Sequence, residues 1–168
     1  MQTIENLETR AQGAAAIWSR RGFLVLLLVF VLAGAAGLLG VRTATDSAAG
    51  DGWTLELDHA TTARAGLDVP WQVTVTHPGG FGKDLTLAVT GDYFDIFETQ
   101  GFHPDPSDST RDGDTLYLTF AAPPGDTFVV AYDAYIQPAS QVGRGGSVSV
   151  MTDGRRVATV DFETTLLP

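Results

Sequence analysis

The sequence predicts an all-β domain, an antiparallel β-sandwich of about seven or eight strands, that follows a single transmembrane helix. An apolar run without charge extends from Gly22 to Val41. From Trp53 onward apolar residues alternate with polar ones, which is the pattern of half-buried strands. Clusters of Gly, Pro and Asp interrupt this alternation, as turns between strands do. These observations together favour one membrane anchor and one β-rich domain.

The apolar run contains 20 residues, of which seven are Leu, four are Val and two are Phe. A helix of that length rises about 30 Å, the thickness of the hydrocarbon core of a bilayer. Each strongly apolar residue favours insertion by roughly 0.3 to 0.6 kcal/mol. We therefore expect residues 22–41 to cross the plasma membrane once.

The arginines on either side of the run predict its orientation. Arg10, Arg20 and Arg21 precede the run, whereas only Arg42 follows it closely. Positive charge is retained on the cytoplasmic side, so we expect a cytoplasmic N-terminus and an extracytoplasmic C-terminal domain. The predicted organisation is a cytoplasmic segment 1–21, a transmembrane helix 22–41, a flexible tether 42–52 and a β-sandwich domain 53–168.

Residues 19–24 read Ser-Arg-Arg-Gly-Phe-Leu, which resembles the signal motif of the twin-arginine export route. A cleaved signal needs small residues at its processing site, and Ser47-Ala48-Ala49 could serve. That site lies beyond the apolar core, so an uncleaved anchor is favoured. Delivery of an uncleaved anchor by the twin-arginine route stays open.

Composition excludes several classes of function. The chain has no cysteine, which rules out disulfides, thiolate catalysis and cysteine-ligated zinc. From Thr43 onward, 18 Asp and Glu face six Lys and Arg, a net charge of −12. Such a surface repels phosphate backbones, so we expect no nucleic acid partner. One lysine against nine arginines, with abundant Ala, Gly and Asp, is typical of a bacterial protein from a GC-rich genome.

Alternation is clearest in the segments that start at Trp53, Trp71 and Leu85, and no helix is predicted after residue 41. An Asp153-Gly154 turn predicts a hairpin between the last two strands. The further predicted strands are Tyr93–Phe97, Thr115–Ala121, Thr127–Gln137, Ser147–Thr152 and Arg156–Thr164.

Residues 53–164 resemble bacterial immunoglobulin-like modules of cell-surface proteins. The similarity is carried by a strand ending in Phe120, a Pro124-Gly125-Asp126-Thr127 turn that opens Phe128 to Tyr132, Pro138, and a Gly-led hairpin. The Cys–Trp–Cys arrangement of antibody domains is absent. The resemblance implies an immunoglobulin-like sandwich and does not imply a ligand.

No catalytic motif is present, and we expect the protein not to be an enzyme. The three histidines, His59, His77 and His103, have no partner at metal-ligand spacing. We expect no cofactor, with calcium as the one alternative. The acidic loop Asp105, Asp108, Asp112 and Asp114 offers hard oxygen ligands for calcium. It lacks the EF-hand rhythm and contains Arg111, so a solvated loop is the favoured interpretation.

Two sets of residues are candidates for partner binding. The first is an aromatic patch on segments that would be apolar on both faces if extended, a composition favoured at interfaces although a core role is equally open. Its members are Tyr93, Phe97, Phe102 and Tyr135. The second is a stripe of small residues in the membrane helix, where Small-x-x-x-Small spacing lets helices approach closely. Its members are Ala33, Ala36, Gly37 and Gly40.

The sequence therefore favours a non-catalytic single-pass protein whose sandwich docks another membrane or envelope protein, as an accessory subunit. The alternative is a surface module that binds calcium or a cell-wall glycan.

Overall fold

The computed structural model describes residues 5–37, 40–98 and 101–167, and the chain divides into two compact units at residues 40 and 41. The first unit contains one helix and the second is built from β-strands. The predicted combination of an N-terminal apolar helix and a mainly β domain is confirmed.

Helix α1 runs from Glu5 to Ala35, and its segment from Gly13 to Ala35 is long and apolar enough to cross a membrane. Its large apolar side chains, from Phe23 to Leu32, are exposed. The helix ends where the Gly37 N–H donates to the Gly34 carbonyl at 3.0 Å. Gly37 has a φ of +71°, the left-handed conformation in which glycine commonly terminates a helix.

This helix end corrects the prediction of a small-residue stripe. Of the stripe residues, only Ala33 lies within α1, whereas Ala36, Gly37 and Gly40 follow its last residue. A Small-x-x-x-Small face requires helical spacing at both of its residues. The left-handed glycine at position 37 ends the helical spacing before Gly40, so the Ala36–Gly40 pair does not share a helical face. The pair Ala33 and Gly37 stays a prediction.

Twelve strands are present in the described part of the second unit. Their bounds are β1 Arg42–Gly50, β2 Trp53–Arg64, β3 Asp68–Val69, β4 Trp71–Thr76, β5 Leu85–Thr90, β6 Phe102–His103, β7 Asp108–Asp112, β8 Thr115–Phe120, β9 Thr127–Tyr132, β10 Ala134–Tyr135, β11 Arg144–Thr152 and β12 Arg155–Leu167. Strands β3 and β10 pair only with each other. The others form one sheet in the order β6-β9-β4-β2-β12-β11-β5-β8-β7, with β1 added to β2.

Strand β12 makes this sheet curled and mixed. Its residues up to Thr164 pair antiparallel with β11, and its last three described residues pair parallel with Thr62–Arg64 of β2. A purely antiparallel arrangement of seven or eight strands is therefore not what the chain forms. The difference arises because β12 is 13 residues long. It pairs with β11 along most of its length and with the end of β2 at its own end.

The hydrophobic core lies on the inner face of the curled sheet. The alternation predicted for β2 and β4 holds, because Leu55, Leu57, Val73 and Val75 are fully buried and Trp71 is 1% exposed. Polar residues between them face outward, as half-buried strands require.

The predicted tether at 42–52 is wrong over most of its length. Residues 42–50 form β1, which pairs antiparallel with β2 from Thr62 to Trp53. The Asp46 carboxylate lies 2.8 Å from Nε2 of buried His59 and fastens the strand. A Cβ on Gly50 would lie 2.0 Å from the Val157 carbonyl oxygen, so only glycine fits there. The sequence pattern does not indicate this strand, because its small residues produce little hydrophobic alternation.

The segment Tyr93–Phe97, expected as a strand, is instead a 3₁₀-helix from Gly91 to Ile96, followed by a single bridge between Phe97 and Ile136. A 3₁₀-helix has three residues per turn. Tyr93 and Ile96 therefore fall on the same side, and both are buried. The prediction that no helix follows residue 41 is therefore also wrong.

Candidate functional site: an aromatic cleft beside the 3₁₀-helix

A cleft of about 400 Å³ opens between the 3₁₀-helix and strands β6, β8 and β9. We refer to it as the aromatic cleft. Its apolar lining consists of Phe94, Phe97, Phe102, Leu116 and Tyr132. Its polar lining consists of Asp95, Glu98, Arg111 and Gln137. The volume falls within the range of ligand sites, and both apolar and charged side chains line the cleft.

The rings of the aromatic cleft support one another. Phe102 of β6 is the direct pairing partner of Tyr132 on β9, and their ring centroids lie 4.9 Å apart. Phe94 from the 3₁₀-helix lies 4.8 Å from Tyr132 and 5.4 Å from Phe102. Edge-to-face and tilted contacts at these distances are favourable. The cleft surface is therefore held in place without a ligand.

Trp71 lies behind these rings and connects the aromatic cleft to the core. Its indole packs edge-on against Phe94 at 5.2 Å and against Phe102 at 6.0 Å. Trp71 is buried, whereas Phe94 and Phe102 are partly exposed and pack against the core. The partly exposed rings of Phe94 and Phe102 therefore pack against a buried indole.

Charged groups of both signs surround the opening. The Arg111 guanidinium pairs with Asp92, and its Nε–H donates to the Gly113 carbonyl at 3.0 Å. Asp95 lies 3.8 Å from Arg144. Glu98 is exposed and forms no ion pair with any described residue. Two of these three carboxylates are thus neutralised by arginine, and Glu98 leaves a net negative charge at the rim.

The amide of Gln137 fixes the inner end of the aromatic cleft. Its Nε2 donates to the Phe97 carbonyl and, at 3.5 Å, to the Asp95 carbonyl. The backbone N–H of Gln137 also donates to the Ile96 carbonyl at 2.9 Å. These bonds hold the end of the 3₁₀-helix against the residues that follow β10.

Two members of the predicted aromatic patch are core residues, so their assignment to an exposed surface is wrong. Tyr93 is fully buried and Phe97 is 2% exposed. The Tyr93 hydroxyl lies 2.9 Å from the Thr164 hydroxyl, which donates to the Ala60 carbonyl at 2.6 Å. Burial raises the pKa of Tyr93 to about 12, an effect that the Thr164 hydrogen bond partly opposes.

The other two members of the patch are separated. Phe102 lines the aromatic cleft, whereas Tyr135 of β10 pairs with Asp68 and does not line it. Sequence reasoning missed Phe94, Leu116, Arg111 and Tyr132 as site residues. A three-residue period from Tyr93 to Ile96 would have indicated that Phe94 leaves the buried side.

The acidic loop does not converge. Asp108 and Asp112 are the two ends of strand β7, and four residues of extended chain separate them by about 13 Å. Asp105 precedes the strand and Asp114 follows the turn at Gly113. Within residues 5–37, 40–98 and 101–167, no group of three or more His, Asp or Glu is placed to hold a metal ion. The described residues therefore provide no set of calcium ligands.

The histidines occupy three separate environments. His59 contacts Asp46, the Nδ1 of His77 lies 2.7 Å from the Gly80 carbonyl, and His103 lies 3.0 Å from Asp133. None of them lines the aromatic cleft.

Comparison with known proteins gives no family for this chain. A scan against protein-family models found no match, and a search of curated proteins found no similar sequence. The residues of the aromatic cleft, their contacts and their charges are consequently the observations from which a function has to be argued.

Proposed function

We propose that this protein is a single-pass plasma-membrane protein whose extracytoplasmic β domain docks another membrane or envelope protein through the aromatic cleft. In this role it is a non-catalytic accessory subunit. The observation that carries the proposal is the pair of partly exposed rings, Phe94 and Phe102, supported from behind by Trp71.

The membrane assignment is supported by helix α1, which has an apolar segment of 23 residues from Gly13 to Ala35. Arg20 and Arg21 lie in the first half of that segment, and Arg21 stacks over the Trp18 ring at 5.7 Å. Tryptophan and arginine together are typical of the interfacial region, where long cationic side chains extend to the headgroups. The bias of arginine toward this end supports a cytoplasmic N-terminus.

The docking assignment is supported by the chemistry and rigidity of the aromatic cleft. Interfaces are enriched in Tyr, Phe, Trp and Arg, and well-packed aromatic pockets near their centres contribute most of the affinity. The cleft combines Phe94, Phe102 and Tyr132 with Arg111. Because the rings are already packed against one another, they lose little side-chain entropy when a partner binds.

The charge at the rim indicates what kind of segment fits. Glu98 is an unpaired carboxylate among the described residues, and the domain as a whole is strongly acidic. The complementary partner segment carries an apolar or aromatic side chain next to Lys or Arg. The apolar group packs against the exposed parts of the Phe94 and Phe102 rings, and the cation pairs with Glu98.

An immunoglobulin-like arrangement is compatible with this role, and we retain it as part of the proposal. The two arms of the curled sheet correspond to its two layers, with β12 as the connection between them. Surface modules of that type bind through loops at the ends of their strands. The 3₁₀-helix that follows β5 is such a connection.

A cell-wall glycan is the second candidate ligand. Aromatic rings next to the Asp95 and Glu98 carboxylates and the Gln137 amide offer stacking surfaces and hydrogen-bond acceptors for a sugar ring. A neutral glycan does not require the charge of Glu98, whereas a cationic protein segment does. Replacement of Glu98 by glutamine therefore separates the two candidates.

The experiment is site-specific photocrosslinking in intact cells. The photoreactive amino acid p-benzoylphenylalanine replaces Phe102 in the aromatic cleft or, as the matched control, Val129 on β9, which is 41% exposed. We expect position 102 to give a crosslink to one membrane or envelope protein and position 129 to give none. Equal products at both positions, or none at position 102, would contradict the proposal.

A further inference from the structure

A second cavity, of about 450 Å³, lies next to the aromatic cleft. Asp95 and Ile96 of the 3₁₀-helix form one of its walls, and residues 139–144, between β10 and the start of β11, form the other. We refer to it as the Val142 cavity, after the exposed apolar side chain on this loop. Asp95 also lines the aromatic cleft. The two cavities therefore share a border at Asp95.

The loop that carries Val142 is fixed on both sides of that residue. Before it, the Ser140 hydroxyl donates to the Ile96 carbonyl at 3.1 Å. After it, the backbone at Gly143 lies so close to β12 that a Cβ there would be 1.9 Å from the Thr164 carbonyl oxygen. The Val142 cavity therefore has a wall that is held in place by the folded domain.

Val142 is exposed to an unusual degree. It is 78% exposed, whereas Val129, the next most exposed of the large apolar side chains in the described β domain, is 41% exposed. A single exposed apolar residue is ordinary on a protein surface. Val142 differs because it lies on a fixed loop, beside a cavity that Ala139 also lines. An apolar side chain of a partner can therefore bury surface against it without ordering the loop.

Asp95 places a negative charge where the two cavities meet. Its carboxylate lies 3.8 Å from the Arg144 guanidinium, and the two side chains are 54% and 46% exposed. A long ion pair between exposed side chains contributes little to stability. Asp95 can therefore exchange Arg144 for a cation of a partner at little cost in stability. Glu98 adds a second carboxylate on the side of the aromatic cleft.

We propose that one continuous segment of the partner protein occupies both cavities, with a Lys or Arg between two apolar residues. One apolar side chain packs against the exposed parts of Phe94 and Phe102, the other packs against Val142, and the cation pairs with Asp95. This inference rests on the proposed docking role of the aromatic cleft and adds the chemistry of the segment that docks there.

A lipid surface is the competing occupant for an exposed apolar side chain. Asp95 and Glu98 repel anionic headgroups, and the net charge of −12 from Thr43 onward acts in the same direction. A neutral glycan offers no cation to Asp95. The charges next to Val142 therefore favour a cationic protein segment.

The test is photocrosslinking of the full-length protein in intact cells. The amino acid p-benzoylphenylalanine replaces Val142 or, as the matched control, Val129, and position 102 is the reference for the aromatic cleft. We expect positions 142 and 102 to crosslink to the same protein and position 129 to give no product. Mass spectrometry should place the two attachment sites within about ten residues of each other, a length that spans about 15 Å as a helix and about 33 Å as a strand.

Charge reversal tests the role of Asp95 separately. Asp95→Lys should lower the yield from position 142 at least about fivefold, because two cations then meet. Asp161→Lys makes the same change at an exposed position of β12 and should leave the yield unchanged. Circular dichroism establishes that both variants are folded.

The outcomes separate this inference from the docking role itself. A product at position 102 with none at position 142, a lipid product at position 142, or attachment sites in two distant segments would overturn the inference and leave the docking role intact. Full yield from position 142 in folded Asp95→Lys would overturn it as well. Absence of a product at position 102 would overturn the proposed function and this inference with it.

Discussion

The aromatic residues at positions 93 and 97 differ from those at positions 94 and 102 in what they do for the molecule. Tyr93 and Phe97 are almost completely buried, whereas Phe94 and Phe102 keep part of their rings exposed. All four belong to one aromatic stretch of the sequence. Within the 3₁₀-helix from Gly91 to Ile96, the three-residue period directs Tyr93 inward and Phe94 toward the cleft. Phe97 follows this helix and bridges to Ile136, and Phe102 lies on β6. Neighbouring aromatic residues thus differ in burial according to their local geometry.

Removing Trp71 should have the largest effect on stability, because this buried residue belongs to the core and also packs against Phe94 and Phe102. We expect Trp71→Ala to lower the free energy of unfolding by about 3 to 5 kcal/mol, since it leaves a large cavity in a core that is otherwise closed. Urea unfolding of the full-length protein in detergent measures the loss. Val129→Ala, on an exposed face of β9, is the control and should change stability by less than about 0.5 kcal/mol.

Ionisation of the buried Tyr93 at high pH should destabilise the fold. The folded-state pKa of Tyr93, about 12, lies above its ordinary value of 10.0, so the fold favours the neutral phenol. This contribution is fully present below pH 10 and is lost as the pH rises through 12. A difference of this size corresponds to roughly 3 kcal/mol.

Tyr93→Phe cannot ionise and tests that assignment. Urea unfolding between pH 8 and pH 12 should show wild-type stability falling more steeply than the stability of Tyr93→Phe. At neutral pH the variant should lose only about 1 kcal/mol, the contribution of one hydrogen bond. Parallel curves for the two proteins would show that Tyr93 does not ionise within a closed core.

Shortening a ring on the cleft side should cost less stability than shortening one on the core side. Phe97→Ala should lower the free energy of unfolding by about 3 kcal/mol or more, whereas Phe102→Ala should lower it by about half as much, because part of that ring already contacts water. Chemical denaturation measures both variants. Equal losses would remove the distinction between the buried and the partly exposed rings.

Charge reversal at the rim should have the smallest effect on stability. Glu98 is exposed and unpaired among the described residues, so Glu98→Lys should change the free energy of unfolding by less than about 0.5 kcal/mol. Thermal unfolding followed by circular dichroism is sufficient to check this. A large loss of stability would assign Glu98 to the structure and not to binding.

The strands with strong alternation could be predicted from the sequence, and strand β1 could not. Trp53, Trp71 and Leu85 begin segments whose apolar residues face the core, so the period of two identifies them. Strand β1 consists of small and polar residues, and it is held by pairing to β2 and by the contact between Asp46 and His59. Those contacts are distant in sequence, and no local pattern reports them.

The candidate site was only partly predictable for the same reason. Phe102 could be chosen from composition, but its neighbours in the aromatic cleft depend on the pairing of β6 with β9. The ion pair between Arg111 and Asp92 joins residues 19 positions apart. The burial of Tyr93 follows from a 3₁₀-helix that the two-sided apolar pattern does not distinguish from a strand. Phe97 is buried where it bridges to Ile136, which is distant in sequence. Composition therefore indicates that aromatic residues matter here, and tertiary pairing decides which of them remain accessible.

Photocrosslinking from position 102 in two charge-reversed backgrounds tests the docking role of the aromatic cleft most directly. One background is Glu98→Lys at the rim, and the other is Glu163→Lys at an exposed position of β12. Both make the same chemical change at an exposed glutamate, and both should leave thermal stability intact. We expect the crosslink to the membrane or envelope partner to be lost in Glu98→Lys and kept in Glu163→Lys. A crosslink of undiminished yield in a stably folded Glu98→Lys protein would contradict docking through this cleft.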